Sequence, residues 1–164
     1  MFSRWTFLQG IIVIILGILA FITDYFKKDM ATSNLSNTVN TVQMLMTLLF
    51  IIAVIGLFSL LMFFQSKKSN TFLLHPIWKK MHIIVSFLLV ISIVVFISAF
   101  FISPLSEVIQ SSRWILFITI YYFLFLINIL VLTLIKKNTI SNAKKIKSSF
   151  IWTVLVLFVT IFFI

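Results

Sequence analysis

Residues 81–102 read MHIIVSFLLVISIVVFISAFFI, with the pair Lys79-Lys80 just before them. This run of 22 residues contains no Asp, Glu, Lys or Arg. About 20 apolar residues, at 1.5 Å of rise each, form a helix that crosses ~30 Å of hydrocarbon. The stretch therefore predicts a transmembrane helix whose polar boundary is marked by two lysines.

Working outward, the same pattern recurs at Trp5–Thr23, Val42–Phe64 and Trp114–Ile135, runs of 19, 23 and 22 residues with no charged residue inside. A fifth run, Phe150–Ile164, has only 15 residues. It would cover roughly 23 Å. Its Val, Leu, Ile and Phe content still favours insertion, at roughly −0.3 to −0.6 kcal/mol per residue. Ser148 and Ser149 can lengthen the helix, and a short span is accommodated by local thinning of the bilayer. The expected fold is an all-α integral membrane bundle of five spans in one domain, the fifth of them short. The first run is longer than the apolar core of a signal peptide, and Thr23-Asp24-Tyr25 is a poor cleavage site, so it too is read as a span.

Composition agrees. The chain of 164 residues is 62% hydrophobic and 10% charged, far from the soluble norm of about half apolar and about a quarter charged. There is no cysteine, which removes disulfides, thiolate metal sites and cysteine nucleophiles. Lysine greatly outnumbers arginine, and Ile, Phe and Asn are plentiful while Gly is scarce. That bias suggests an AT-rich genome and hence a bacterial cytoplasmic membrane.

The segments between the runs alternate in charge. Arg4 precedes the first run. Residues 24–41 hold Lys27 and Lys28 against Asp24 and Asp29. Residues 65–80 hold Lys67, Lys68, Lys79 and Lys80 with no acid. Residues 103–113 hold Glu107 and Arg113. Residues 136–149 hold Lys136, Lys137, Lys144, Lys145 and Lys147 with no acid. The basic loops belong in the cytoplasm, so the N-terminus is expected inside and the C-terminus outside, with 24–41 and 103–113 as outer loops. The net charge of +10 then reflects attraction to anionic headgroups, and nucleic acid is not the expected partner. Trp5, Trp78, Trp114 and Trp152 each stand near the N-terminal end of a run, at the headgroup depth that indoles prefer.

Two loops have a pattern of their own. Ser103-Pro104 is a helix start, and Leu105, Val108 and Ile109 share a face, which predicts a short surface helix. The stretch 73–78, Leu-Leu-His-Pro-Ile-Trp, is apolar but broken by Pro76, and is expected to rest in the interface below Lys79 and Lys80. Residues 24–41, with Asn34, Asn37 and Asn40 and little hydrophobicity, are expected to form an outer loop that is mobile or ordered by a partner.

Candidate chemistry is sparse. His75 and His82 are seven residues apart, about 10.5 Å of helical rise, so one chain cannot present them to opposite sides of a haem iron. They are weak cofactor candidates, and no cofactor or metal is expected. No ionisable residue lies at mid-span, where proton-coupled transport would need one. Ser59, Ser86, Ser92 and Ser98 have no base at matching depth to activate them, so each is expected to bond back to its own helix or to sit at a helix contact. Asn128 is the strongest polar group inside a run and should find a partner across a helix interface. Gly10, Gly17, Ala53, Gly56 and Ser59 are small residues suited to close helix packing or to a partner. Three glycines are too few for a phosphate loop.

These readings predict a non-enzymatic accessory, regulatory or immunity-type subunit acting by contact within the membrane, with lipid and another membrane protein or a second copy as partners. The alternatives are a small permease subunit for a neutral solute, lined by Tyr121, Tyr122 and Asn128, and a haem-binding electron carrier using His75 or His82.

Overall fold

The computed structural model describes residues 4–31, 37–69, 72–102, 113–135 and 141–163. It is a bundle of five helices: α1 (Arg4–Ala31), α2 (Asn37–Lys68), α3 (Ile77–Ile102), α4 (Arg113–Leu134) and α5 (Asn142–Phe163), with a single 3-10 turn at Phe72–Leu74 between α2 and α3. Four of them contain stretches long and apolar enough to cross a membrane: Arg4–Thr23, Leu45–Lys68, Ile77–Ala99 and Trp114–Leu134. Together they make this a multi-pass membrane protein.

The helices run past the apolar segments that announce them. α1 continues to Ala31 and α2 begins at Asn37, so most of the expected outer loop 24–41 is helical. The apolar run measures the thickness of hydrocarbon, whereas the i→i−4 hydrogen-bond ladder has no reason to stop where the lipid does. For the same reason α5 starts at Asn142, eight residues before the fifth apolar run, and its 22 residues reach ~33 Å. The short surface helix expected after Ser103 lies outside the described residues.

α2 and α4 pack together, α1 and α5 each lean against both, and α3 lies outside, packed chiefly on α4. The main core joins Ile12 and Leu16 of α1, Phe50, Val54, Ile55 and Phe58 of α2, and Phe117 and Leu124 of α4. Aromatic contacts fill its centre. Phe50 meets Phe117 edge-on at 5.9 Å and stacks on Tyr121 at 5.9 Å, and Phe58 meets Phe125 at 5.2 Å. A second seam places Val85 of α3 against Leu126 and Ile129 of α4.

Most other large apolar side chains face outward. Phe87, Val95 and Phe101 of α3 are 68%, 61% and 82% exposed. A contiguous apolar exterior of this kind is untenable in water and ordinary in lipid, where tails are as apolar as leucine.

One end of the bundle gathers the lysine-bearing segments. Lys68 donates to Thr6 Oγ1 at 3.0 Å, Gln9 donates to Gln65 Oε1 at 2.9 Å, and Trp5 meets Phe64 at 5.8 Å, so the start of α1 lies beside the end of α2. Leu73 is buried with Leu132 and Ile146. The apolar stretch around Pro76, expected to rest in the interface, thus inserts Leu73 into the bundle. Phe72 meets Trp78 edge-on beside it, at 5.2 Å.

Candidate functional site

The most polar place inside the bundle is centred on Asn128 of α4. Its Nδ2 donates to Ser59 Oγ of α2 at 3.3 Å. From α5, Ser149 Oγ lies 3.3 Å from the Asn128 backbone oxygen and 3.4 Å from its Oδ1. Thr153 Oγ1 donates to the same Oδ1 at 3.4 Å. Asn128, Ser59, Ser149 and Thr153 are all buried, Thr153 completely. Three helices are thus joined through one side chain. The spacing follows from sequence: Ser149 and Thr153 are four residues apart and fall on one face of α5, and the amide supplies both donors and acceptors.

Asparagine has no titratable proton, and the hydrogen-bond partners around it are the hydroxyls of Ser59, Ser149 and Thr153. Among the described residues, every buried side-chain polar atom has a hydrogen-bond partner. The arrangement can hold helices in register, and its hydrogen-bonding capacity is largely committed within the bundle.

Several other polar side chains in the spans are similarly engaged. Tyr121 donates its hydroxyl to the Leu16 carbonyl of α1 at 2.8 Å. Tyr122 and Ser92 share a hydrogen bond of 2.7 Å on the outer surface between α3 and α4. Ser92, Thr23, Thr119, Thr133 and Thr160 bond back to carbonyls of their own helices, the local satisfaction that hydroxyls find in a helix. Ser86 and Ser98 lie on the exposed face of α3.

The small residues divide. Ser59 is in the node described, Ala53 is half-buried on α2, and a Cβ on Gly56 would meet only the Phe150 ring edge of α5, at 3.7 Å. Gly10 and Gly17 face away from the other described helices. Both are exposed, and a Cβ on either would meet nothing within 4 Å. Their seven-residue spacing puts them on the outward face of α1, whose inward face is taken by Ile12 and Leu16.

The histidines do not converge. His75 sits in the turn before α3, where its Nδ1 accepts the Ile77 N–H at 3.3 Å and its carbonyl accepts the Trp78 N–H at 3.0 Å. His82 is half-buried within α3. No group of three or more His, Cys, Asp or Glu side chains comes together among the described residues.

Of the lysines read as headgroup contacts, Lys67, Lys68, Lys79, Lys80, Lys144 and Lys147 are exposed. Lys67 stands 5.7 Å from the centre of the Phe63 ring. Lys145 is the exception at 8% exposure. It is displaced by about 100° round α5 from its neighbour Lys144 and packs into the bundle. Lys136 and Lys137 lie outside the described residues.

Sequence reasoning did not single out Thr153, and treated Ser149 only as a possible extension of the fifth helix. A usable signal existed: Asn128 and Ser149 stand symmetrically about the lysine-rich loop, so two antiparallel helices place them at one depth.

Compared with protein-family models, with curated proteins and with solved structures, the chain matches none.

Proposed function

We propose that this chain is a non-enzymatic accessory protein of a cell membrane, acting by contact between its helix faces and another membrane protein. The observation that carries the reading is the position of α3. That helix packs chiefly on α4 and leaves Ile83, Phe87, Val90 and Val94 on its outside. Its hydroxyls at Ser86 and Ser98 are exposed on the same helix. A span held from one side, with small polar groups among large apolar ones, has the composition of a helix–helix contact in lipid.

The absence of an ionisable group at mid-span in the sequence supports a role without proton coupling. Against the transport reading stand the hydrogen bonds of Tyr121 and Asn128 within the bundle and that of Tyr122 with Ser92 at its surface. His75 lies in the turn before α3 and His82 within it, and no third metal-ligating side chain gathers with them among the described residues. Lysine placement supports an orientation with the N-terminus and the lysine-bearing end in the cytoplasm, and the compositional bias supports a bacterial cytoplasmic membrane.

The test is purification from native membranes in mild detergent, with a photo-crosslinking side chain at Phe87 or Val95. A stoichiometric partner crosslinked from α3, and not from an equivalent probe at Phe21 of α1, is expected. Solute uptake by liposomes containing only this chain would overturn the proposal in favour of a permease.

A further inference from the structure

A groove of about 470 Å³ runs between α2 and α5 at the lysine-bearing end. Its walls are apolar: Gly56, Leu60 and Phe63 from α2, and Phe150 from α5. Gly56 opens it, because any larger residue there would extend toward the Phe150 ring. Its rim carries Lys144 and Lys147, both exposed and three residues apart on one face of α5. No Asp or Glu occurs in either neighbouring segment, 65–80 or 136–149.

From these features we infer that the groove is a binding site for one anionic glycerophospholipid, an acyl chain lying against Gly56, Leu60 and Phe150 and the phosphate between Lys144 and Lys147. The chemistry selects this occupant. A soluble anion would use the lysines and leave the apolar walls unused. An uncharged lipid would use the walls and leave two ammonium groups uncompensated. A second copy of the chain would bring its own lysine-rich end against this one, and the chain carries +10 overall. An anionic lipid satisfies both halves, and the groove meets the lysines at the end of the spans, where headgroups lie. The positive end of the α5 helix adds to the same field.

This inference is independent of the proposed partner contact, which concerns α3. It extends beyond diffuse attraction, because it distinguishes Lys144 and Lys147 from the equally exposed Lys79 and Lys80.

The test uses the full chain, purified in mild detergent with equal amounts of phosphatidylglycerol and phosphatidylcholine of identical acyl chains, with retained lipid read by native mass spectrometry. One phosphatidylglycerol per chain is expected, and excess inorganic phosphate should not displace it. At about 1 kcal/mol per lysine, the double variant Lys144→Gln/Lys147→Gln should lower its retention by roughly tenfold or more. Lys79→Gln/Lys80→Gln, which removes the same charge, should leave it within about twofold. Leu60→Trp, on an exposed position, should fill the groove and lower retention without touching a charge. Equal retention of the two lipids, equal losses in the two lysine pairs, or displacement by phosphate would overturn the inference. So would a dimer crosslinked through Leu60→Cys, which would put a second copy in the groove.

Discussion

Asn128 illustrates how one side chain organises three helices. Its amide oxygen accepts from both Ser149 and Thr153, and its amide nitrogen donates to Ser59. Interhelical hydrogen bonds in membranes average only about 0.6 kcal/mol, because the separated helices find other partners. Asn128→Ala removes several at once and leaves a small void. It should cost about 1–3 kcal/mol, measured by reversible unfolding in mixed detergent micelles. Thr153→Val should cost less than about 1 kcal/mol, since Ser149 still reaches the same oxygen. A larger loss for Thr153→Val than for Asn128→Ala would show that the amide is not the centre of the node. Tyr121→Phe keeps the stacking on Phe50 and removes only the bond to the Leu16 carbonyl. It should cost about 0.5–1.5 kcal/mol and loosen α1 selectively, visible as faster hydrogen exchange in that helix alone. Asn128 was legible in the sequence as a group that needed a partner. Its partners were not, because they lie on helices separated from it by 69, 21 and 25 residues, and a single sequence gives depth but not which faces meet.

At the scale of the element, four of the apolar runs were legible because hydrocarbon thickness imposes a length that few soluble segments reach. The ends of the helices were not. α1 reaches Ala31 and α5 begins at Asn142, and nothing in the hydropathy of 24–31 or 142–149 requires either. The inward faces were also illegible. In water a helix advertises its buried side by alternating with polar residues, but α3 is apolar on every side. Only packing distinguishes Val85, 3% exposed, from Val95, 61% exposed. This difference sets a prediction. In lipid the transfer term for an apolar side chain nearly vanishes, so the cost of truncation is lost packing. Val85→Ala should destabilise by about 1 kcal/mol, and Val95→Ala by less than about 0.5 kcal/mol, in the same unfolding assay. Equal effects would mean that α3 is not docked on α4 through Val85.

Across the whole molecule, the lysine-bearing end and the asymmetry of charge belong together. Replacing Lys67, Lys68, Lys79 and Lys80 by Gln leaves residues 65–80 neutral and should produce a mixture of two orientations, read by reporters fused after Ile164 that work on opposite sides of the membrane. The native chain should direct a fusion there to the outside, and a reporter active only in the cytoplasm should be silent. Charge balance was readable from the sequence, whereas the arrangement of α1 and α5 against α2 and α4 was not, because the loop order permits several neighbours for each helix. The way α5 is held has a consequence for biogenesis. Its first turns carry three lysines, so it enters the bilayer less readily than the spans before it, and the hydroxyls of Ser149 and Thr153 find their acceptor only once α4 is in place. A chain halted before residue 142 would keep the bond from Asn128 to Ser59 and lack both hydroxyl donors to the Asn128 oxygen. Docking of α5 is then the step that completes the hydrogen bonding of the Asn128 oxygen.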